Sequence, residues 1–163
     1  MINVSSKEYE RGLMNWYNLM FETKHNTDRS YCSSKLANIL FTNELAKQLR
    51  GTGITTYSVH PGYVESEFVE NEDRLKSFIE QRQRTAPTSC FLIKPLLWLF
   101  CKTEKQGAQT TIYCSVKDTI ELTSGRFYSD CKELKLEPHA QSDENALKLW
   151  RVSKKLVQTF LND

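Results

Sequence analysis

The 163 residues are enough for one domain with a single hydrophobic core. A net charge of +2 is too small to indicate a nucleic-acid partner, and 39% hydrophobic residues are ordinary for a soluble globular protein. Five cysteines, an odd number without paired spacing, indicate reduced intracellular thiols rather than a disulfide framework. The three histidines are far apart and form no metal-ligand pattern, and no apolar run is long enough to span a membrane.

The chain opens with a strand-like segment, residues 1–5, followed by a long connection over 7–30 with at most one helical turn. A domain that begins within its own sheet is expected to lack an upstream part. The strongest helix signal covers residues 29–49, because leucines recur there at helical spacing after capping residues near Asp28. Gly51 follows as the residue that ends this helix.

Residues 54–59 are β-branched and aromatic, which predicts a second strand that ends sharply at His60-Pro61-Gly62. A strand, a helix and a strand in this order predict a right-handed parallel crossover. In such a sheet, ligands bind at the carboxyl ends of the strands. Ser5, Ser6 and residues 60–66 all fall at ends of this kind.

The second half of the chain predicts further helices and one more strand. Residues 67–88 are charge-rich and predict a solvated helix, whereas the apolar segment 90–101 predicts either a buried helix or a lid over a lipophilic substrate that touches a membrane surface. Thr103 and Gln106 form a capping box that opens a helix to about residue 117. Residues 125–129 predict a last short strand, and a final amphipathic helix follows Ser142.

Tyr31 and Lys35 are the first candidate site residues. Four residues apart on a helix, they share one face, and an ammonium held near a phenol favours the phenolate. Such a tyrosine can give a proton to a carbonyl oxygen or take one from an alcohol near neutral pH. The spacing alone is weak evidence, since Tyr113/Lys117 and Tyr128/Lys132 repeat it, and a lysine stem packed on an aromatic ring explains any one of them.

The surroundings of Tyr31 distinguish it from the other two tyrosines. A serine hydroxyl at the end of the first strand, that of Ser6 with Ser5 as the alternative, can donate to a substrate oxygen. Gly62 lets backbone approach a ligand closely because glycine has no side chain, and Ser66 offers a hydroxyl to a phosphate or carboxamide.

With these residues in place, the chain resembles the short-chain dehydrogenase/reductase family, and within it the retinol dehydrogenase branch. The resemblance covers nearly the whole chain in order and spacing. It is carried by Asn3-Val4-Ser5-Ser6, by Tyr31-Cys32-Ser33-Ser34-Lys35-Leu36-Ala37-Asn38, by Tyr57-Ser58-Val59-His60-Pro61-Gly62-Tyr63-Val64-Glu65-Ser66, by Gln106-Gly107-Ala108-Gln109-Thr110, and by 124–131.

The resemblance implies an α/β fold: the C-terminal half of a Rossmann-like, doubly wound parallel sheet, with about three strands and flanking helices. It implies an oxidoreductase that uses NADP or NAD, with NADP favoured, on retinol or related lipophilic alcohols, aldehydes and ketones. Tyr31 would be the catalytic acid and base, Lys35 its pKa partner and ribose ligand, and Ser6 the donor to the substrate oxygen. The nicotinamide side would be lined by Pro61, Gly62, Val64 and Ser66.

The chain departs from the family in one respect, because the sequence contains no glycine-rich phosphate loop of the form Thr-Gly-x-x-x-Gly-x-Gly. Two hypotheses follow: an oxidoreductase represented by its catalytic half, or a truncated, inactive chain that dimerises through Leu36, Leu40 and Leu45. The expected partners are a lipophilic small molecule, a membrane surface at 90–101 and a second copy of the chain, but no nucleic acid. The expected location is intracellular, in the cytoplasm or at the endoplasmic reticulum membrane.

Overall fold

A computed structural model describes residues 1–20, 27–64, 102–117 and 123–162. The charge-rich segment 67–88, the apolar segment 90–101 and Ser66 lie outside these residues. The elements in chain order are β1 (Ile2–Val4), a 3₁₀ helix (Lys7–Arg11), α1 (Thr27–Gln48), β2 (Tyr57–His60), α2 (Glu104–Gly107), α3 (Gln109–Val116), β3 (Phe127–Ser129), β4 (Lys132–Leu134), a second 3₁₀ helix (Pro138–Gln141) and α4 (Asp143–Asn162).

The described strands form one sheet in the order β1-β2-β3-β4. β2 is parallel to both β1 and β3, whereas β4 pairs with β3 in the antiparallel direction. The predicted three-strand parallel unit is confirmed. The antiparallel β4 was not predicted, because its exposed Lys-Glu-Leu segment lacks the apolar alternation of a strand.

Helices cover both faces of the sheet, as in a doubly wound fold. Phe127 of β3 points into a core cluster with α1 and α4 that includes Ile39 and Leu149. Its neighbour Tyr128 points to the other face, where it joins a cluster with Cys114 of α3. This alternation follows from the two-residue period of a strand.

The helix boundaries agree with the sequence prediction within a few residues. α1 begins at Thr27 and ends at Gln48, and Gly51 beyond it has φ of +80°, the left-handed conformation expected of a helix-ending glycine. Thr103 forms the predicted capping box with Gln106. The helix that follows is interrupted at Ala108, so α2 and α3 replace the single predicted helix.

The leucines proposed as a dimerisation surface are instead core residues. Leu36, Leu40 and Leu45 are buried within this chain. Their burial makes the prediction of a dimer formed through these three side chains wrong, since a partner cannot reach them. No helix in the described part of the chain is long and apolar enough to cross a bilayer.

Candidate active site

The second turn of α1 carries the predicted tyrosine–lysine pair. Lys35 Nζ lies 5.4 Å from the centroid of the Tyr31 ring. Tyr31 is 40% exposed. Burial lowers the pKa of the Lys35 ammonium below its ordinary value, and this ammonium also donates to the carbonyl oxygen of Val4 at 3.4 Å. The structure therefore brings together the two groups that the sequence placed on one face.

A row of polar contacts fixes this part of α1 against β1. Asn38 Nδ2 donates to the Val4 carbonyl oxygen at 3.1 Å, and Asn3 Nδ2 donates to Thr42 Oγ1 at 2.8 Å. With Lys35, these side chains occupy successive turns of the helix, which is the spacing of one helical face. No role was predicted for Asn38 or Thr42, although their spacing from Lys35 places all three on one face of a helix.

The two serines at the end of β1 have different surroundings. Both serines are buried, but their hydrogen bonds differ: the Ser5 hydroxyl donates to the Lys35 carbonyl oxygen at 2.7 Å. Ser6 Oγ instead accepts from the Glu8 amide at 3.3 Å and caps the 3₁₀ helix. Because accepting leaves its own hydrogen unused, the Ser6 hydroxyl can still donate to another group. Ser5 therefore acts as a structural link between β1 and α1, and Ser6 is the better candidate for substrate.

The loop after β2 presents backbone at the carboxyl end of the sheet. Gly62 has φ of +91°, a conformation that L-residues rarely adopt. Val64 packs against Gly107 so closely that a Cβ at that glycine would lie 2.4 Å from Val64 Cγ2. Pro61, Gly62 and Val64 thus form a fixed loop next to β1 and its serines. The fourth predicted member, Ser66, lies outside the described residues.

Three polar residues around this loop were not predicted as part of a site. Lys102 forms an ion pair with Asp130, and its Nζ is 3.5 Å from the Pro61 carbonyl oxygen. The Lys102 ammonium holds the pKa of the Asp130 carboxyl below its usual value. His60 is buried beside them, and its Nδ1 has no hydrogen-bond partner among the described residues. The strand end at His60 was a signal for a polar site, but the pairing of Lys102 with Asp130 could not be predicted from the sequence.

Comparison with known proteins gives consistent matches. A family model described as short chain dehydrogenase matches residues 22–76. The chain is 40% identical over 157 residues to human retinol dehydrogenase 12, covering 96% of this chain and 45% of that protein. It is 41% identical over 156 residues to human retinol dehydrogenase 11, covering 94% of this chain and 43% of that protein.

By sequence, this chain is similar to the short-chain dehydrogenases. A crystal structure of an uncharacterised Mycobacterium paratuberculosis protein supports the fold, with a TM-score of 0.64 at 22% identity over 96% of this chain and 49% of that one. The predicted retinol dehydrogenase-like family is confirmed by the curated relatives. The chain spans about half the length of these relatives. The roles of the individual site residues stay predictions.

Proposed function

We propose that this protein is an NAD(P)-dependent oxidoreductase that interconverts a lipophilic, retinol-like alcohol and its aldehyde or ketone. The observation that carries the proposal is the exposed Tyr31 phenol with the Lys35 ammonium 5.4 Å from its ring. The names of the relatives, retinol dehydrogenases 11 and 12, support the substrate class. Preference for NADP over NAD rests on the family resemblance alone.

Tyr31 is the proton carrier in this proposal. In the reducing direction its phenol donates a proton to the carbonyl oxygen, and in the oxidising direction its phenolate takes one from the alcohol. The Lys35 ammonium, 5.4 Å from the ring centroid, stabilises negative charge on the phenolate electrostatically. Ser6 donates a hydrogen bond to the same substrate oxygen and stabilises charge that develops on it.

The loop after β2 and the face of α1 fit the nicotinamide-ribose end of a dinucleotide. Gly62 offers backbone at the carboxyl end of β2 in a conformation that few other residues adopt, and the Lys35 ammonium can donate to a ribose hydroxyl. The bound dinucleotide supplies hydride chemistry. The pyrophosphate is assigned to no residue of this chain, since its sequence contains no glycine-rich phosphate loop.

The proposal is tested in a chimera in which this chain replaces the matched segment of human retinol dehydrogenase 12. We expect the chimera to reduce all-trans-retinal with NADPH, and Tyr31→Phe to lower kcat by about 10²–10⁴-fold, the usual contribution of a general acid. Tyr113→Phe is the matched control, because Tyr113 has a lysine at the same spacing but lies against the Cys114 cluster. It should retain turnover.

The serines provide a second comparison in the same chimera. Ser6→Ala should lower kcat and lower the melting temperature only through loss of its long 3.3 Å cap to Glu8, whereas Ser5→Ala should lower the melting temperature more, because it removes the 2.7 Å link to the Lys35 carbonyl, and should leave kcat closer to wild type. Near-normal kcat for Tyr31→Phe, or equal turnover for Tyr31→Phe and Tyr113→Phe, would refute the catalytic assignment. The melting temperature of the chimera itself shows whether it has folded, and the parent enzyme, assayed in parallel, is the positive control for the assay.

Expectations about the substrate, the cellular location and the oligomeric state follow from the same proposal. We propose a lipophilic small-molecule substrate, an intracellular location in the cytoplasm or at the endoplasmic reticulum membrane, and a homodimer whose interface excludes the buried leucines of α1. Contact of 90–101 with a membrane surface or a long substrate belongs to this proposal, although these residues lie outside the described part of the chain. Sedimentation with and without liposomes, and fractionation of expressing cells, test these interactions directly.

A further inference from the structure

The backbone of the loop after β2 is hydrogen-bonded to the backbone of Lys102. The Lys102 amide donates to the Tyr63 carbonyl oxygen at 2.7 Å, and Val64 and Lys102 form an isolated parallel bridge. These contacts join the loop to the residue just before the capping box at Thr103. Lys102 therefore holds the backbone of residues 63–64 from one side.

The side chain of Lys102 also packs against this loop, at Gly62. A Cβ added to Gly62 would lie 2.8 Å from both Cδ and Nζ of Lys102, so the lysine stem packs directly against the glycine backbone. Beyond the stem, Lys102 Nζ lies 3.5 Å from the Pro61 carbonyl oxygen. The lysine thus contacts the loop through its amide, its methylenes and its ammonium.

Asp130 fixes the position of this ammonium from a different element. It lies in the turn between β3 and β4 and forms an ion pair with Lys102. Asp130 and Cys131 both have left-handed backbones, with φ of 52° and 56°. Ser129 Oγ donates to the second carboxylate oxygen of Asp130 at 3.3 Å. The turn holds the carboxylate above the end of β3, within reach of Lys102.

We propose that Lys102 and Asp130 are positioning residues for the nicotinamide end of the dinucleotide, acting by fixing the backbone of Pro61–Val64. The role of this pair in cofactor binding rests on the proposed function, whereas its role in fixing the backbone of Pro61–Val64 does not. The ion pair joins the β3–β4 turn to the loop after β2, which are separate in the chain and adjacent only in the folded sheet. If the pair were an ordinary surface ion pair, its removal would change neither the exchange of the loop backbone nor the binding of the cofactor.

Amide hydrogen exchange of the 163-residue chain tests whether the pair fixes the loop. Asp130→Asn removes the charge but keeps a residue that tolerates the left-handed turn. We expect the Lys102 amide to exchange about three to five times faster in this variant, the upper range for a partly exposed ion pair. The Gly125 amide, which donates to the Thr56 carbonyl oxygen, is the internal reference and should not change. Unchanged protection at Lys102 would overturn the proposal.

Kinetics of the retinol dehydrogenase 12 chimera test the cofactor role. Lys102→Met and Asp130→Asn should each raise the KM for NADPH about three- to fivefold, with kcat and the KM for retinal within twofold of wild type. Lys102→Arg keeps the ion pair and should behave as wild type. The double variant should be no worse than either single variant, because both remove one interaction.

These outcomes distinguish the role of the pair in fixing the loop from its role in cofactor binding. A parallel fall in kcat with a rise in both KM values, or equal damage from Lys102→Arg and Lys102→Met, would show a general structural role and overturn the proposal. An inactive wild-type chimera that has a cooperative melting transition, beside an active parent enzyme, would refute the proposed function and with it the cofactor role. The exchange of the Lys102 amide would still decide whether the pair fixes the loop.

Discussion

His60 is the residue whose charge state the fold constrains most clearly. It is 5% exposed at the end of β2, and its ring lies edge-on to Tyr63 with centroids 5.9 Å apart. Burial lowers the pKa of the imidazole to about 4, with a smaller contribution from the nearby Lys102 ammonium. The folded protein therefore holds His60 neutral at pH values where an exposed histidine is already charged.

This constraint predicts a loss of stability in acid. Above pH 6.5 neither the folded nor the unfolded state binds a proton at His60. As the pH falls from 6.5 toward 4, the unfolded state takes up a proton that the folded state excludes, so the free energy of unfolding decreases. At pH 5 the decrease is about 2 kcal/mol relative to pH 7.5, since one pKa unit corresponds to about 1.36 kcal/mol.

Urea unfolding at pH 7.5 and pH 5 measures this decrease. His60→Gln is the comparison, because glutamine is neutral at both pH values and leaves every other titrating group in place. The variant should lose about 2 kcal/mol less than wild type between the two pH values. The same loss in both proteins would show that His60 takes up its proton in the folded state as readily as in the unfolded state.

Individual residues also show what the sequence could predict. The Tyr31/Lys35 pair was predictable because helical spacing alone places the two side chains on one face. Ser6 was chosen over Ser5 from the family resemblance, but the hydrogen bond that ties Ser5 to the Lys35 carbonyl was not predictable, since it depends on which hydroxyl points toward that carbonyl in the folded chain. Lys102 and Asp130 could not be paired from sequence, because sheet pairing alone brings their segments together.

At the scale of elements, the hairpin between β3 and β4 has an unusual turn. Its two central residues, Asp130 and Cys131, both have positive φ, the pattern of a tight two-residue hairpin in which Asn-Gly or Asp-Gly is preferred. Asp130 is one of the non-glycine residues that tolerate this conformation, but cysteine is not. The dipeptide Asp130-Cys131 is a weak sequence signal for a hairpin turn, which is a further reason why β4 was not predicted.

Cys131→Gly should therefore stabilise the protein. Removing the side chain relieves about 1–2 kcal/mol of left-handed strain, and the greater freedom of glycine in the unfolded chain offsets about 0.5–1 kcal/mol of it. The expected net gain is about 1 kcal/mol in urea unfolding. Cys131→Ser, which removes the thiol but retains the Cβ, is the control and should show no such gain. Equal stabilities for the two variants would mean that the turn carries no strain.

At the scale of the whole molecule, the sequence predicted the parallel unit β1-α1-β2 and its neighbour β3 because each strand is a β-rich segment bounded by turn residues. β2 begins at Tyr57, three residues later than the β-branched run suggested, because the pairing with Ile2 and not the composition sets its start. The position of the site at the carboxyl ends of β1 and β2 followed directly from that topology.

The affinity for a dinucleotide also depends on the chain as a whole. Calorimetric titration of the 163 residues alone with NADPH and NADH should show a dissociation constant no tighter than about 1 mM, because only the nicotinamide-ribose end has candidate contacts and the adenosine half contributes none. The retinol dehydrogenase 12 chimera should bind with micromolar affinity. A micromolar dissociation constant for the monomeric chain alone would show that these residues are sufficient.

The central position of β2 has a consequence for how the molecule assembles. β2 is buried along its whole length and pairs with β1 near the start of the printed sequence and with β3 near its end. Loops of this length close slowly in comparison with the β3–β4 hairpin, which forms on a timescale of microseconds. During synthesis, β2 therefore emerges well before β3 exists to cover it. In that interval its apolar residues are available to chaperones or to a neighbouring nascent chain, so the yield of folded protein should depend on the rate of translation between β2 and β3.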